Sequence, residues 1–253
     1  MLKFLGIGSA FNEEMGNTAA YIKENDTLIL LDCGSTAFGR IMQMGLLEDV
    51  ENVYIAITHF HQDHAGSVGT LVQYLSILRG IVPNFILTNG ENAEVQEQEL
   101  RSYLTKVGVT EDEYDFSYGD MIEDVIPGLQ KIEMVQVKHS KQLTSYAVEL
   151  YFEDKTIYYT GDQNDVEYVS AIARKLKPND LVYTDCTAKE YKGRVHISLN
   201  ELAEIFAEEQ REQVCCMHFE NFRCYTEAKE MGFKVANREF SKDELLRRIA
   251  GRK

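Results

Sequence analysis

The chain has 253 residues, 44% of them hydrophobic, which is enough to bury a substantial core and lies at the upper end for one domain. With 26% charged residues, only 3 prolines and no linker-like block, it is not disordered, collagen-like or mucin-like, and no apolar run approaches the roughly 18 to 20 residues that span a bilayer. A formal net charge of −15 has the wrong sign for wrapping a long polyanion, because sequence-independent nucleic-acid affinity comes from Lys and Arg neutralising phosphates.

From the N-terminus, MLKFLGIGSAF lacks the apolar core and small-residue cleavage site of a secretory signal. The cysteine count of 5 is odd, and no C-x-x-C occurs. We therefore expect a cytoplasmic protein with reduced thiols and no thiolate zinc site. Leu28–Leu31 reads as a strand stopped by Asp32-Cys33-Gly34, and Val53–Thr58 as a buried strand stopped by His59. After the turn Asp63-His64-Ala65-Gly66, the apolar residues Val68, Leu71, Val72, Leu75 and Leu78 fall at helical spacing. Residues 91–107 form a predicted helix with a polar outer face, and residues 91–124 read as a solvated acidic surface.

Further along, Thr144–Phe152 and Thr156–Tyr159 read as a hairpin around Glu153-Asp154-Lys155, and Ile157–Thr160 runs into Gly161-Asp162. Ser198-Leu199-Asn200-Glu201 is a capping box that opens a helix with the stripe Leu199, Leu202, Ile205 and Phe206. Val214–Met217 is a strand running into His218, with Cys215 and Cys216 on opposite faces. Strands alternate with helices and no internal repeat is visible, so the expected class is α/β, a layered sandwich in one domain over residues 1–253.

Four of these strands end on a residue able to bind metal, which is how a rigid sheet presents a site at its rim. The most specific segment is His59-Phe60-His61-Gln62-Asp63-His64. It places four metal-competent side chains in six residues, at a point where the chain must turn and can aim them together. The chain holds 6 histidines, at positions 59, 61, 64, 139, 196 and 218, and half of them sit in this turn.

With Asp32 in LDCG, this turn, His139 in VKHS, Asp162 in YTGD and His218 in CMHF in order, the sequence resembles the metallo-β-lactamase-fold hydrolases over nearly its whole length. The resemblance implies a four-layer αββα sandwich with a two-zinc site at one sheet edge. It implies that His59, His61 and His139 hold one Zn²⁺, that Asp63, His64 and His218 hold the other, and that Asp162 bridges them. Mn²⁺ or Fe would suit the same ligand types. Asp32 would accept a ring N–H from a ligand histidine and fix its tautomer. Seven shared ligands leave coordination positions open for water, whose pKa falls to about 7 on a metal, so the implied chemistry is hydrolysis by an activated hydroxide that Asp63 could orient.

The segment from Asp185-Cys186-Thr187 through Gly193 to His196-Ile197-Ser198 is similar to that carrying an additional catalytic histidine in the ribonuclease Z-like branch, which cleaves phosphodiesters. Gly6-Ile7-Gly8-Ser9-Ala10 and Thr160-Gly161-Asp162 point the same way. His196 would then protonate the departing ribose oxygen, while Lys189, Lys192 and Arg194 either steady phosphate charge or form a solvated loop. Only residues 140–161 separate His139 from Asp162, leaving no room for the arm with which transfer-RNA-processing relatives grip their substrate. Together with the acidic charge, this favours a small substrate. The chain resembles the compact anti-Pycsar phosphodiesterases, and this resemblance implies a homodimer that opens 3′,5′-cyclic nucleotides to nucleoside monophosphates, countering cyclic-nucleotide immune signalling. The alternatives are transfer-RNA 3′ processing, lactone or thioester hydrolysis, and ligand capture without cleavage.

Overall fold

The computed structural model describes residues 1–90, 92–119, 122 and 124–239. Position 91 of the predicted helix, positions 120, 121 and 123 of the acidic stretch, and residues 240–253 of the expected domain lie outside them.

Two β-sheets organise the described chain. The first has the order β1 (Lys3–Gly6), β2 (Ala19–Glu24), β3 (Thr27–Leu31), β4 (Asn52–Ala56), β5 (Asn84–Leu87), β6 (Asp115–Tyr118). β1 to β3 are antiparallel neighbours, and β3 to β6 run parallel. The second sheet holds β7 (Leu129–Val137), β8 (Ser145–Phe152), β9 (Thr156–Tyr159), β10 (Leu181–Asp185), β11 (Val214–Met217) and β12 (Lys234–Val235), again neighbours in sequence order. β7 to β9 are antiparallel and β9 to β12 parallel. Both halves of the chain thus use one topology, although no sequence repeat betrays it.

Side-chain alternation along the strands builds the layers. In β3, Ile29 and Leu31 face the inter-sheet core with Ile132, Val148 and Leu150. Leu28 and Leu30 face the opposite way, against Ile41 of α1 (Ala37–Met44), Leu71 of α3 (Val68–Gln73) and Leu100 of α4 (Ala93–Lys106). Because both faces of β3 are covered, its sequence is a continuous apolar run, as expected for a buried strand with a parallel neighbour. On the far side of the second sheet, Val169 and Ile172 of α5 (Val166–Lys175), Leu202 of α6 (Leu199–Ile205) and Ala228 of α7 (Phe222–Glu230) complete a helix layer. The result is the expected αββα sandwich. Its β8–β9 hairpin turns at Glu153–Lys155, where the Phe152 amide donates to the Lys155 carbonyl at 2.8 Å, so residues 140–161 carry no protruding arm.

Several local expectations hold and one fails. Ser198 caps α6 by accepting from the Glu201 amide, and the Glu201 side chain answers to the Ser198 amide. The stripe predicted after the histidine turn is correct through Leu75, but Leu78 is 69% exposed. The reason is a π-helical turn over Tyr74–Arg79, whose wider winding breaks the 3.6-residue period.

The sheets are also joined by a polar contact. The buried Tyr159 hydroxyl, on β9, donates to Asp32 Oδ2 just beyond β3 at 3.0 Å. Tyr159→Phe removes a buried hydrogen bond to a charged acceptor and should destabilise the metal-free protein by about 1.5–3 kcal/mol. Urea unfolding would show this as a lower midpoint at unchanged slope; an unchanged midpoint would mean the bond contributes nothing to sheet docking.

Candidate metal centre

Parallel strands place their carboxyl ends at one rim, where open α/β sheets bind ligands. Here β3 delivers Asp32, β4 leads to His59, β9 leads to Asp162, β10 ends on Asp185 and β11 delivers His218. Asp32 and His218 take left-handed backbone conformations (φ 66 and 59), uncommon for residues other than glycine and enriched at functional turns.

The histidine turn is clamped from both sides. His61 is the extended N-cap of α2 (Gln62–Ala65), a single helical turn. Phe60 stacks on Tyr103 at 5.0 Å, and the Tyr103 hydroxyl donates to the Ala65 carbonyl at 2.9 Å. From β3, the Cys33 amide donates to the His64 carbonyl at 2.7 Å. Gly34 then passes so close that a Cβ would lie 1.9 Å from the Asp63 carbonyl oxygen, which is why LDCG ends in glycine.

The seven residues singled out by sequence converge in two groups. His59, His61 and His139 form one: His61 Nδ1 lies 2.9 Å from His59 Nε2 and 3.3 Å from His139 Nε2. Asp63, His64, Asp162 and His218 form the other. There His218 Nε2 is 3.1 Å from Asp63 Oδ2, while His64 Nε2 and His218 Nε2 are each 3.3 Å from Asp162 Oδ1. Asp162 lies between the groups, its Oδ2 3.9 Å from His139 Nε2.

Asp32 sets two of the ring tautomers. His64 Nδ1–H donates to Asp32 Oδ2 at 2.8 Å, which turns the Nε2 lone pair inward. The Thr58 hydroxyl donates to Asp32 Oδ1 at 2.9 Å and so must accept from His59 Nδ1–H at 3.1 Å, which again leaves Nε2 facing the group. His139 reaches the same state by donating Nδ1–H to the Val195 carbonyl at 2.9 Å. Such outer contacts fix metal-ligating histidines.

The groups fit divalent cations. His64 Nε2 and Asp162 Oδ1 are buried with no hydrogen-bond partner, a costly arrangement that a cation between them would relieve. Imidazole nitrogens and carboxylate oxygens are the donors Zn²⁺ prefers and Mn²⁺ or Fe accept.

Electrostatics divides the imidazoles. Burial, reinforced by the neighbouring His64 charge, holds His59 well below its ordinary pKa, and burial brings His139 down to about 4, so both are neutral ligands at neutral pH. For His64, burial is outweighed by Asp162 and Asp32, which push its pKa well up in the metal-free site. Burial opposes ionisation of Asp63, but the hydrogen bond from His218 and the adjacent His64 charge keep it below the usual carboxylate range.

His196 stands at the edge of this cluster, its ring 5.0 Å from that of His218 and 5.4 Å from that of His139. Nδ1–H donates to Asp185 Oδ2 at 2.8 Å, so Nε2 is the nitrogen left for a ligand. Burial disfavours its charged form, yet Asp162 and then Asp185 overcome this and push its pKa up to about 9. From the sequence, Asp185 is named only as the start of the His196 segment and is given no role, though Leu181–Thr184 followed by Asp185 is the same strand-then-acid pattern as the others. Of the loop cations, Lys189 borders the cleft but is paired with Glu220 at 2.7 Å, and Arg194 is paired with Glu190 and Glu201. Lys192 is exposed and is not among the side chains lining the cleft.

The donors open into a cleft of about 800 Å³ lined by His61, Asp63, His139, Asp162, His196 and His218, within the size range of small-molecule sites. Against known families, the model described as anti-Pycsar protein Apyc1 matches residues 1–240. The chain belongs to that family. An anti-Pycsar protein Apyc1 from Bacillus phage 010DV004 is 28% identical over 264 residues, covering 94% of this chain and 97% of the relative. Among solved structures, the metallo-β-lactamase fold protein YhfI from Bacillus subtilis aligns with a TM-score of 0.67 at 16% identity over 95% of both chains. Human tRNase Z, short form, aligns with a TM-score of 0.61 at 16% identity, over 94% of this chain and 97% of that one. At such identities these two show the fold alone. Family, fold and donor set together are those of a metal-dependent hydrolase, and among the described residues no helix is long and apolar enough to cross a membrane.

Asp32→Asn tests the tautomer argument. An amide in place of the carboxylate can present N–H to His64 Nδ1, forcing its proton to Nε2, where it blocks a ligand position. Affinity for Zn²⁺ should fall about 10–100-fold in competition with a chromophoric chelator; unchanged affinity would mean Asp32 does not set the His64 tautomer.

Proposed function

We propose that the protein is a dizinc phosphodiesterase that hydrolyses 3′,5′-cyclic nucleotides to nucleoside monophosphates. The observation that carries this reading is the His196–Asp185 pair standing beside two donor groups in one small-molecule-sized cleft. His59, His61 and His139 would hold one Zn²⁺, Asp63, His64 and His218 the second, with Asp162 shared. Bound there, the cations supply a nucleophile from water at neutral pH and positive charge against the phosphoryl oxygens.

The remaining work falls to side chains. Water adds its oxygen to phosphorus, one P–O ester bond breaks, and the departing ribose oxygen needs a proton. His196, aimed by Asp185, donates that proton from Nε2. Asp63, which lines the cleft and is held anionic, would orient the attacking water.

A small substrate is supported by the plain β8–β9 hairpin and by the charge of −15, both unfavourable to gripping a transfer RNA. Family membership supports an action against cyclic-nucleotide immune signalling. A cytoplasmic setting suits the five unpaired cysteines, and family membership supports a homodimer as the working unit.

His196→Ala should retain metal yet lose about 10²–10⁴-fold in turnover of cyclic mononucleotides, the typical worth of a positioned acid. Asp185→Asn should lower turnover in the same direction while leaving metal content intact. Normal turnover in His196→Ala would remove His196 from the mechanism. Side-by-side assays of cyclic mononucleotides and precursor transfer RNA should show the former cleaved and the latter spared, and preference for the RNA would overturn the substrate assignment.

A further inference from the structure

Phe11 is 97% exposed. A lone exposed aromatic is ordinary on a protein surface, but three further observations set this one apart. First, it lies in the wall of the catalytic cleft, where it and Tyr191 are the phenyl-type rings. Second, its backbone is held in place although its side chain is not packed. The Asn12 amide donates to the Ser9 carbonyl at 3.1 Å, Asn12 Nδ2 donates to the Phe219 carbonyl at 2.9 Å, and the Ser9 amide donates to the same carbonyl at 3.1 Å. Third, Phe219 directly follows His218, so the segment bearing Phe11 is fastened to the strand end that delivers a member of the donor cluster.

An apolar ring kept in water on a fixed support, beside a site for a phosphodiester, suits a flat apolar partner. The cyclic phosphate portion of the proposed substrate is anionic and belongs at the cationic centre. Its base is planar, with a π-face that stacks on an aromatic side chain. We infer that Phe11 is the stacking platform for the nucleobase, a substrate-positioning residue that holds the base at the cleft mouth while the phosphate reaches the donor cluster. This rests on the phosphodiesterase reading and deepens it. Because every base has a π-face, the platform favours nucleotides over base-free phosphodiesters and discriminates weakly among bases.

Two variants test it. Phe11→Ala should raise KM for purine and pyrimidine 3′,5′-cyclic mononucleotides about 5- to 150-fold, leave kcat within about twofold, and leave hydrolysis of base-free ribose 3′,5′-cyclic phosphate unchanged. Phe11→Trp should keep the wild-type KM. The chain contains no tryptophan, so that variant carries a single indole whose fluorescence a stacked base quenches. Saturable quenching by a hydrolysis-resistant phosphorothioate cyclic nucleotide, absent with ribose cyclic phosphate, is the expected result. An unchanged KM in Phe11→Ala, or no quenching in Phe11→Trp, overturns the platform. Quenching does not depend on turnover: a wild-type chain that cleaves no cyclic nucleotide but quenches in Phe11→Trp would refute the hydrolytic reading and keep the platform.

Discussion

One buried carboxylate ties the architecture to the chemistry. Asp32, at the end of β3, accepts from the Thr58 amide and hydroxyl, from Tyr159 across the sandwich and from His64. The first two contacts fix how the chain leaves β4, the third locks one sheet against the other, and the fourth turns a lone pair toward the metal centre. An unpaired charge at that depth would be costly; surrounded by four donors, it becomes the fixed point about which the donors are arranged. Its left-handed backbone shows that the chain accepts local strain to place it.

The donor groups follow from that arrangement. Two sheets of the same topology meet so that carboxyl ends from both supply the site: Asp32 and the histidine turn from the first, Asp162, Asp185 and His218 from the second. Neither sheet alone holds a complete set. A chain that loses sheet docking therefore also loses its metal centre, which couples stability to function through geometry rather than through any single contact.

Much of this was legible in the residues because the determinants are local. Four donors in six residues need no tertiary knowledge, and strands that end on Asp or His announce a rim. Other features are tertiary. The shared topology of the halves is hidden because a strand requires only apolar, β-branched character, which many sequences satisfy. Leu78 fits the helical period, yet a π turn carries it into solvent. Asp185 opens the segment that carries His196, but nothing in the sequence says that its carboxylate meets that imidazole eleven positions on. Phe11 was unreadable in principle, since nothing in a sequence says that a phenylalanine stands exposed beside a cleft.

The central claim is that seven side chains gathered from both sheets hold a pair of divalent cations within reach of His196. It is tested most directly by diffraction from crystals of the zinc-loaded protein, with anomalous data collected on either side of the zinc edge. The account predicts two peaks per chain, one among His59, His61 and His139 and one among Asp63, His64, Asp162 and His218. No zinc peak among these residues, or zinc bound elsewhere on the chain, would contradict it.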